Sequence, residues 1–237
     1  MIVDAEGLDA EHAYKLLIGS ILPRPIAWVS TRSATGVDNL APVSFFTAVG
    51  RIPPKVSLTL QPRSDGVTLK DTFVNIRDTG EFVVNMTTLP QAEAVHRSAF
   101  EFDPDVDEFE ALDLAKGECE VVNVPRVAAA PVALECRLDR IFAAEHGNDH
   151  VVWGRVVRFH LRDGLYLDRG RVDTGALPVF GRLAAEYNLV DNVFTTPVEP
   201  DVLQAREGRR MVRLDGKPDD FSPIDTAGWS ASGSTRS

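Results

Sequence analysis

The run from Lys55 to Pro62, KVSLTLQP, puts Val56, Leu58 and Leu60 on one side of an extended chain and Ser57, Thr59 and Gln61 on the other. Strict alternation fits a half-buried β-strand and not a helix, because side chains repeat every second residue only in extended backbone. PIAWVST, EFVVNMT, VALECRLDRIF and HVVWGRVVRFHL read as further strands. In VALECRLDRIF, Val132, Leu134, Cys136 and Leu138 share one face, with Glu135, Arg137 and Asp139 opposite. Gly154 in the last strand marks a bulge or a close backbone approach. Helices are few and short. DAEHAYKLLIG starts at Asp9 as N-cap and stops at Gly19. TLKDTFVNIRDTG reads as a helix with Thr68 and Asp71 as a capping box and Gly80 as its stop. TLPQAEAVHRSA repeats the capping pattern with Thr88 and Gln91. Strands separated by turns, with little helix between them, predict a mostly β fold, an antiparallel barrel with short helical insertions. The chain has neither a G-x-G-x-x-G turn after a strand nor a G-x-x-x-x-G-K-[ST] loop, so a Rossmann or P-loop nucleotide fold is unsupported.

The 237 residues suffice for one large domain or two small ones with a sizeable core. A net charge of −10 argues against nucleic-acid binding and against coating an anionic membrane. No stretch approaches the length of a membrane span, and the acidic MIVDAEGLDAEH is not a signal peptide. Two cysteines, Cys119 and Cys136, without a CxxC pair predict a reduced, cytoplasmic compartment and two inert thiols. The charge is uneven. Residues 12–80 hold eight bases against four acids, whereas residues 101–120 hold nine acids and one lysine. A locally positive field in an acidic chain suits a small anionic ligand better than an anionic polymer.

Several motifs fail on their chemistry. DPDVDEFEALDL opens like a calcium loop, but Glu108 and Leu114 stand where an EF-hand needs Gly and Glu. His146 and His150 in HGNDH could face a metal, yet Gly147, Asn148 and Asp149 between them favour a hairpin tip. Asn85 in NMT matches a glycosylation pattern without a secretory route. No G-x-S-x-G elbow positions a nucleophile, so nothing argues for a hydrolase.

NLAPVSFFTAV, residues 39–49, is different. Asn39, Ser44 and Thr47 interrupt an apolar run, and buried polar groups are costly unless something bonds them. A helix starting at Thr68, with Lys70 just inside and Thr72 as a hydroxyl donor, would present N–H groups and positive charge to a phosphate. The alternative is a capped surface helix with a solvated lysine.

The order of segments resembles the flavin reductase-like, FMN-binding split-barrel family, which includes flavoredoxins and the small components of two-component monooxygenases. The resemblance rests on RPIAWVST, N-x-A-P-x-S-x-F, PPKVSLTL, K-D-T-x-x-N-I, LECRLDRIF and GRVVRFHL, and runs from about residue 12 to 196. It implies a split β-barrel domain over 12–196, with 200–237 as a polar, poorly ordered tail. It also implies FMN held near the interface of a homodimer, and a reductase in which NAD(P)H passes hydride to the flavin. Ser30, Thr31, Asn39, Ala41, Pro42 and Ser44 would then lie along the flavin. Lys70, Asp71 and Thr72, with Arg24, would lie on its phosphate side, and Trp28 would pack against the ring. The family's D-H-x-x-x-x-G-x-V segment becomes DHVVWGRV here, one residue shorter, with His150 as the candidate on the nicotinamide side. Three alternatives stay open: a flavin reductase, a flavoredoxin-like electron carrier reduced by a protein partner, and a flavin-binding module without turnover. Cofactor chemistry of this kind needs no protein nucleophile and no metal.

Overall fold

A computed structural model describes residues 1–144 and 147–190. His146, at the expected hairpin tip before His150, and the expected tail at 200–237 lie outside the described residues. Contacts divide the chain into one unit of residues 1–164 and 178–189 and a second of 165–177 and the chain from 190 on.

The first unit is built on antiparallel strands. In chain order these are β1 (Ala27–Arg32), β2 (Asp38–Val43), β3 (Phe46–Arg51), β4 (Pro54–Leu60), β5 (Glu81–Met86), β6 (Lys116–Gly117), β7 (Arg126–Val127), β8 (Val132–Ala143) and β9 (His150–Leu161). Seven of them form one sheet in the order β2-β1-β5-β8-β9-β4-β3, while β6 and β7 pair separately. The two edge strands, β2 and β3, are consecutive in sequence and joined by Ser44 and Phe45 alone. A two-residue link between opposite edges can close only if the sheet rolls up, and Thr59 N–H extends the β3–β4 ladder into that link by donating to the Phe45 carbonyl at 2.9 Å. The result is a barrel open along the β2–β3 seam.

Alternation on β4 is as expected: Val56, Leu58 and Leu60 are buried. They join Ala27, Val29, Phe82, Val84, Cys136, Val152 and Val156 in the principal core. Gly154 is a close approach, since a Cβ there would stand 2.2 Å from Phe82 Cζ. It also faces a bulge, because the register slips between Leu138 and Arg140 opposite it. A second core on the outer face packs Trp28 and Leu40 against Val95, Phe109 and Val127. The strand alternation misjudges Glu135. It is fully buried, because residues 119–124 lay Val122 and Val124 over the face expected to meet solvent.

Helix α1 (Ala10–Ser20) begins at Asp9, whose carboxylate accepts from His12 N–H at 2.9 Å. Helix α2 spans Asp71–Thr79 and ends at Gly80 with φ 72°, the left-handed conformation that glycine adopts without strain. It does not start at Thr68. Asp65 captures the N–H of Thr68 at 2.8 Å and its hydroxyl, forming a turn that keeps residues 65–68 out of the helix. Lys70 is therefore the N-cap, without a side-chain cap. The Thr88–Gln91 capping box forms over a single 3-10 turn, Leu89–Gln91, before α3 (Ala92–Arg97), and α4 is Glu108–Ala111. The second unit holds the ribbon β10 (Tyr166–Leu167) and β11 (Arg171–Val172). Strands β12 (Phe180–Arg182) and β13 (Tyr187–Leu189) pair within the first unit.

Candidate functional site

A cleft of about 270 Å³ opens beside the barrel seam. One wall is the end of β2 and the seam itself, Asn39 and Ala41 to Phe45. The floor is Thr59, Leu60 and Gln61 at the end of β4, and one end is Arg63, Lys70, Asp71 and Thr72 at the head of α2. His96, Phe100, Arg182 and Tyr187 complete the lining, and Glu108 lies against the β2 wall. The sequence-derived residues Asn39, Ala41, Pro42, Ser44, Lys70, Asp71 and Thr72 thus meet in one place.

Asn39 is the hub of a buried polar network. Its Nδ2 donates to Glu108 Oε1 at 2.8 Å, and its Oδ1 accepts from Thr72 Oγ1 at 2.9 Å and Thr31 Oγ1 at 3.2 Å. Thr31 in turn accepts from Asn75 Nδ2 at 3.0 Å, and Glu108 Oε2 accepts from Leu40 N–H at 2.6 Å. Each polar group on β2 is answered, which removes the desolvation penalty. Glu108 is 4% exposed, and burial raises its carboxyl to about 7 against the opposing pull of the Leu40 and Asn39 donors.

The α2 end of the cleft carries two cations, Arg63 and Lys70, beside the carboxylates of Asp71 and Glu101. Arg63 Nη2 donates to Asp71 Oδ2 at 2.5 Å, so Asp71 orients a guanidinium rather than meeting a phosphate itself. Lys70 has no ion pair or hydrogen bond to its ammonium among the described residues. The N–H groups of Asp71 and Thr72 precede the first intrahelical bonds, which begin at Phe73. Free N–H groups, a helix dipole and an unpaired lysine fit a phosphate. The Thr72 hydroxyl does not join them, being spent on Asn39. The seam end carries no charged side chain from Ala41 to Phe45, and it offers backbone edges and the Ser44 hydroxyl. An anion-binding end and a neutral, polar end suit a phosphate-bearing flavin in donor chemistry.

Five expected residues stand elsewhere. Trp28 is fully buried and donates its indole N–H to Ser98 Oγ at 2.8 Å, so its ring belongs to the second core. Ser30 donates to the Pro125 carbonyl at 2.6 Å, and Thr31 is enclosed in the Asn39 network. Strand β1 is covered on both faces, so none of the three side chains lines the cleft. Arg24 is 5% exposed and binds the carbonyls of Ile18 and Leu183, each at 2.7 Å; it lies behind the cleft lining, with a long contact to Ser44 Oγ at 3.4 Å and its guanidinium over the Phe45 ring. His150 opens β9 opposite Leu60, stacks on Phe73 at 4.1 Å and turns Nδ1 toward the Asn148 carbonyl at 2.9 Å. It does not line the cleft.

Sequence reasoning missed Arg63, Glu108, Arg182 and Tyr187. Arg182 lies over the Tyr187 ring at 4.7 Å and is brought to the cleft by the backbone pairing of Arg24 with Arg182. GRLAAEYN was the available signal, but its spacing assigns no role to either residue. Burial raises the Cys119 thiol to about 11 and Cys136 further, which disfavours a nucleophilic thiolate at either position.

The rolled antiparallel sheet with a seam cleft defines a mostly β flavin-binding split barrel. The chain belongs to the flavin reductase like domain family, whose model matches residues 18–176. An uncharacterized protein of Halalkalibacterium halodurans is 37% identical over 213 residues, covering 87% of this chain and 100% of the relative. Nitrilotriacetate monooxygenase component B from Bacillus cereus is 33% identical with a TM-score of 0.78, covering 83% of this chain and 98% of that one. The 2-nitrobenzoate 2-nitroreductase of Pseudomonas fluorescens is 29% identical with a TM-score of 0.75, covering 84% and 97%. Among the described residues no helix is long and apolar enough to cross a membrane.

Proposed function

We propose that this protein is an FMN-dependent oxidoreductase that takes electrons from NAD(P)H and delivers them to an acceptor, a monooxygenase component or another partner. The observation that carries the reading is the polarity of the cleft. Lys70, Arg63 and the free N–H groups of α2 stand at one end, and an uncharged hydroxyl and backbone rim stands at Ala41–Ser44. Bound FMN supplies the hydride and electron chemistry. The chain's residues bind and orient it: Lys70 and the helix head hold the phosphate, and Asn39, fixed by Glu108, keeps the ring wall rigid. Phe100 and Tyr187 also line the cleft. The nitrilotriacetate monooxygenase component supports a two-component arrangement.

Assembly as a homodimer is part of the proposal. Leu17, Ile21 and Leu22 at the end of α1, and Val49 and Ile52 along and after edge strand β3, are each more than 40% exposed, and an unpaired edge with apolar neighbours favours a partner. A second reading, a flavoredoxin-like carrier reduced by a protein, is favoured by one observation: His150, the nicotinamide-side candidate, stands outside the cleft. Purified protein is expected to show a flavin absorption spectrum and to consume NADH or NADPH when FMN is added. A flavin spectrum without consumption refutes the reductase and leaves the carrier or a flavin-binding module without turnover, and no flavin uptake refutes all three. Light scattering is expected to give twice the chain mass at micromolar concentration, and the mass of one chain refutes the dimer.

A further inference from the structure

Away from the cleft, Cys119, Glu135 and His160 bring one sulfur, one carboxylate oxygen and one ring nitrogen within 4.8 Å of one another. We propose that these three residues form a binding site for one divalent transition-metal ion of the zinc type, with water completing its coordination.

The donor set is the first argument. Thiolate, imidazole and carboxylate are the ligands zinc takes, and three of them with an open position make a complete site. At bond lengths of about 2.0–2.3 Å, tetrahedral ligand atoms lie about 3.5 Å apart, so the side chains need to shift by about an ångström or less. The second argument is preorganisation. Glu135 Oε2 is pinned by the N–H groups of Val121 and Val122 at 2.7 and 2.9 Å, and Oε1 accepts from Glu120 N–H at 3.1 Å and faces His160 Nε2 at 2.6 Å. Backbone donors that hold the far oxygen of a carboxylate are the outer support metal ligands commonly have. The strand register supplies the rest. The ladder slips between Glu135 and Cys136, and His160 stands opposite Ala133 on the next strand. The third argument is charge. Glu135 is fully buried, and a thiolate beside it would add a second negative charge that a bound divalent cation balances. Without one, burial and then Glu135 keep Cys119 a thiol, so the trio is no nucleophilic triad. Ion binding releases the Cys119 thiol proton to solvent, while the neutral imidazole of His160 carries its proton on Nδ1 so that Nε2 can take the metal. The His160 side chain is 22% exposed and Cys119 is half-buried, so the ion has a path in from solvent.

Cobalt(II) is the probe, added to the chelator-treated full chain and followed by difference absorption. The wild type is expected to take up one equivalent with a thiolate-to-cobalt charge-transfer band, displaced by one equivalent of zinc. Cys119→Ser, close to isosteric, is expected to abolish the band, and His160→Gln to weaken cobalt binding at least about tenfold. Zinc is expected to raise the melting temperature of the wild type and leave that of Cys119→Ser unchanged. A wild type without a charge-transfer band overturns the proposal. So does a band that persists in Cys119→Ser, which would assign the ion to Cys136.

Discussion

Replacing Glu108 with Gln tests how the cleft wall is held. In the folded protein the carboxyl sits at about 7, raised by burial, with Asp71 adding to the rise and Leu40, Asn39 and Arg63 opposing it. The ordinary value is 4.5. Below pH 4.5 the folded and unfolded chains both hold the proton. Between 4.5 and 7 the unfolded chain releases it while the folded chain keeps it, so stability falls as pH rises and levels off above about 7. Each tenfold change in proton affinity is worth about 1.4 kcal/mol, which makes the total fall about 3 kcal/mol. Glutamine mimics the protonated form and carries no such dependence. Urea unfolding of flavin-free protein at pH 4.5, 6 and 7.5 is the assay, since bound ligand would add its own stabilisation. The wild type should lose about 3 kcal/mol across that range relative to Glu108→Gln, so subtraction cancels every other titrating group. Parallel pH curves for the two proteins would mean that solvent reaches Glu108 and that the burial argument is wrong. A wild type that gains stability with pH over the variant would mean that the Leu40 and Asn39 donors outweigh burial.

Lys70→Ala is expected to weaken FMN binding about tenfold or more while leaving riboflavin nearly unaffected, because charge-assisted bonds to a phosphate contribute about 1.5–3 kcal/mol each; equal losses for both flavins in a fluorescence titration would remove Lys70 from the phosphate site. Gly154→Ala is expected to destabilise the fold by about 1–3 kcal/mol in urea, since its Cβ would overlap the fully buried Phe82 ring; an unchanged midpoint would refute the close approach. Trp28→Phe is expected to cost about 1–2 kcal/mol through the lost bond to Ser98 and to leave flavin affinity intact; a large loss of affinity would return Trp28 to the flavin site.

The strands were legible because β4, β5 and much of β9 keep the alternation or apolar character of a sheet with a buried face. Asn39, Ala41, Pro42 and Ser44 were legible as a motif, and Lys70, Asp71 and Thr72 as a helix head. Four things hid from the sequence for physical reasons. Residues 65–71 contain two overlapping capping patterns, and Asp65 takes Thr68 before it can cap α2. Strand β1 is buried on both sides, so its period says nothing about which face meets a ligand. Glu135 looks solvent-facing in any single-strand pattern, because the segment that covers it is a separate stretch of chain with no periodicity of its own. Arg182 and Glu108 reach the cleft through tertiary packing across long sequence gaps, which residue spacing cannot reveal.

The sheet order also fixes when the protein can finish folding. Strands β1, β2 and β5 can pair among themselves, and β3 with β4, as soon as they leave the ribosome. These are two separate patches with no hydrogen bonds joining one to the other. The β8–β9 hairpin is the bridge between them, bonding β5 on one side and β4 on the other, and it is translated last of the seven strands. Until about residue 161 has emerged, both patches carry an open edge next to apolar side chains destined for the core. Long-range pairing of this kind is slow, and exposed strand edges invite association with other chains. A nascent chain stalled ahead of β9 is therefore the species for which a holding chaperone would matter most.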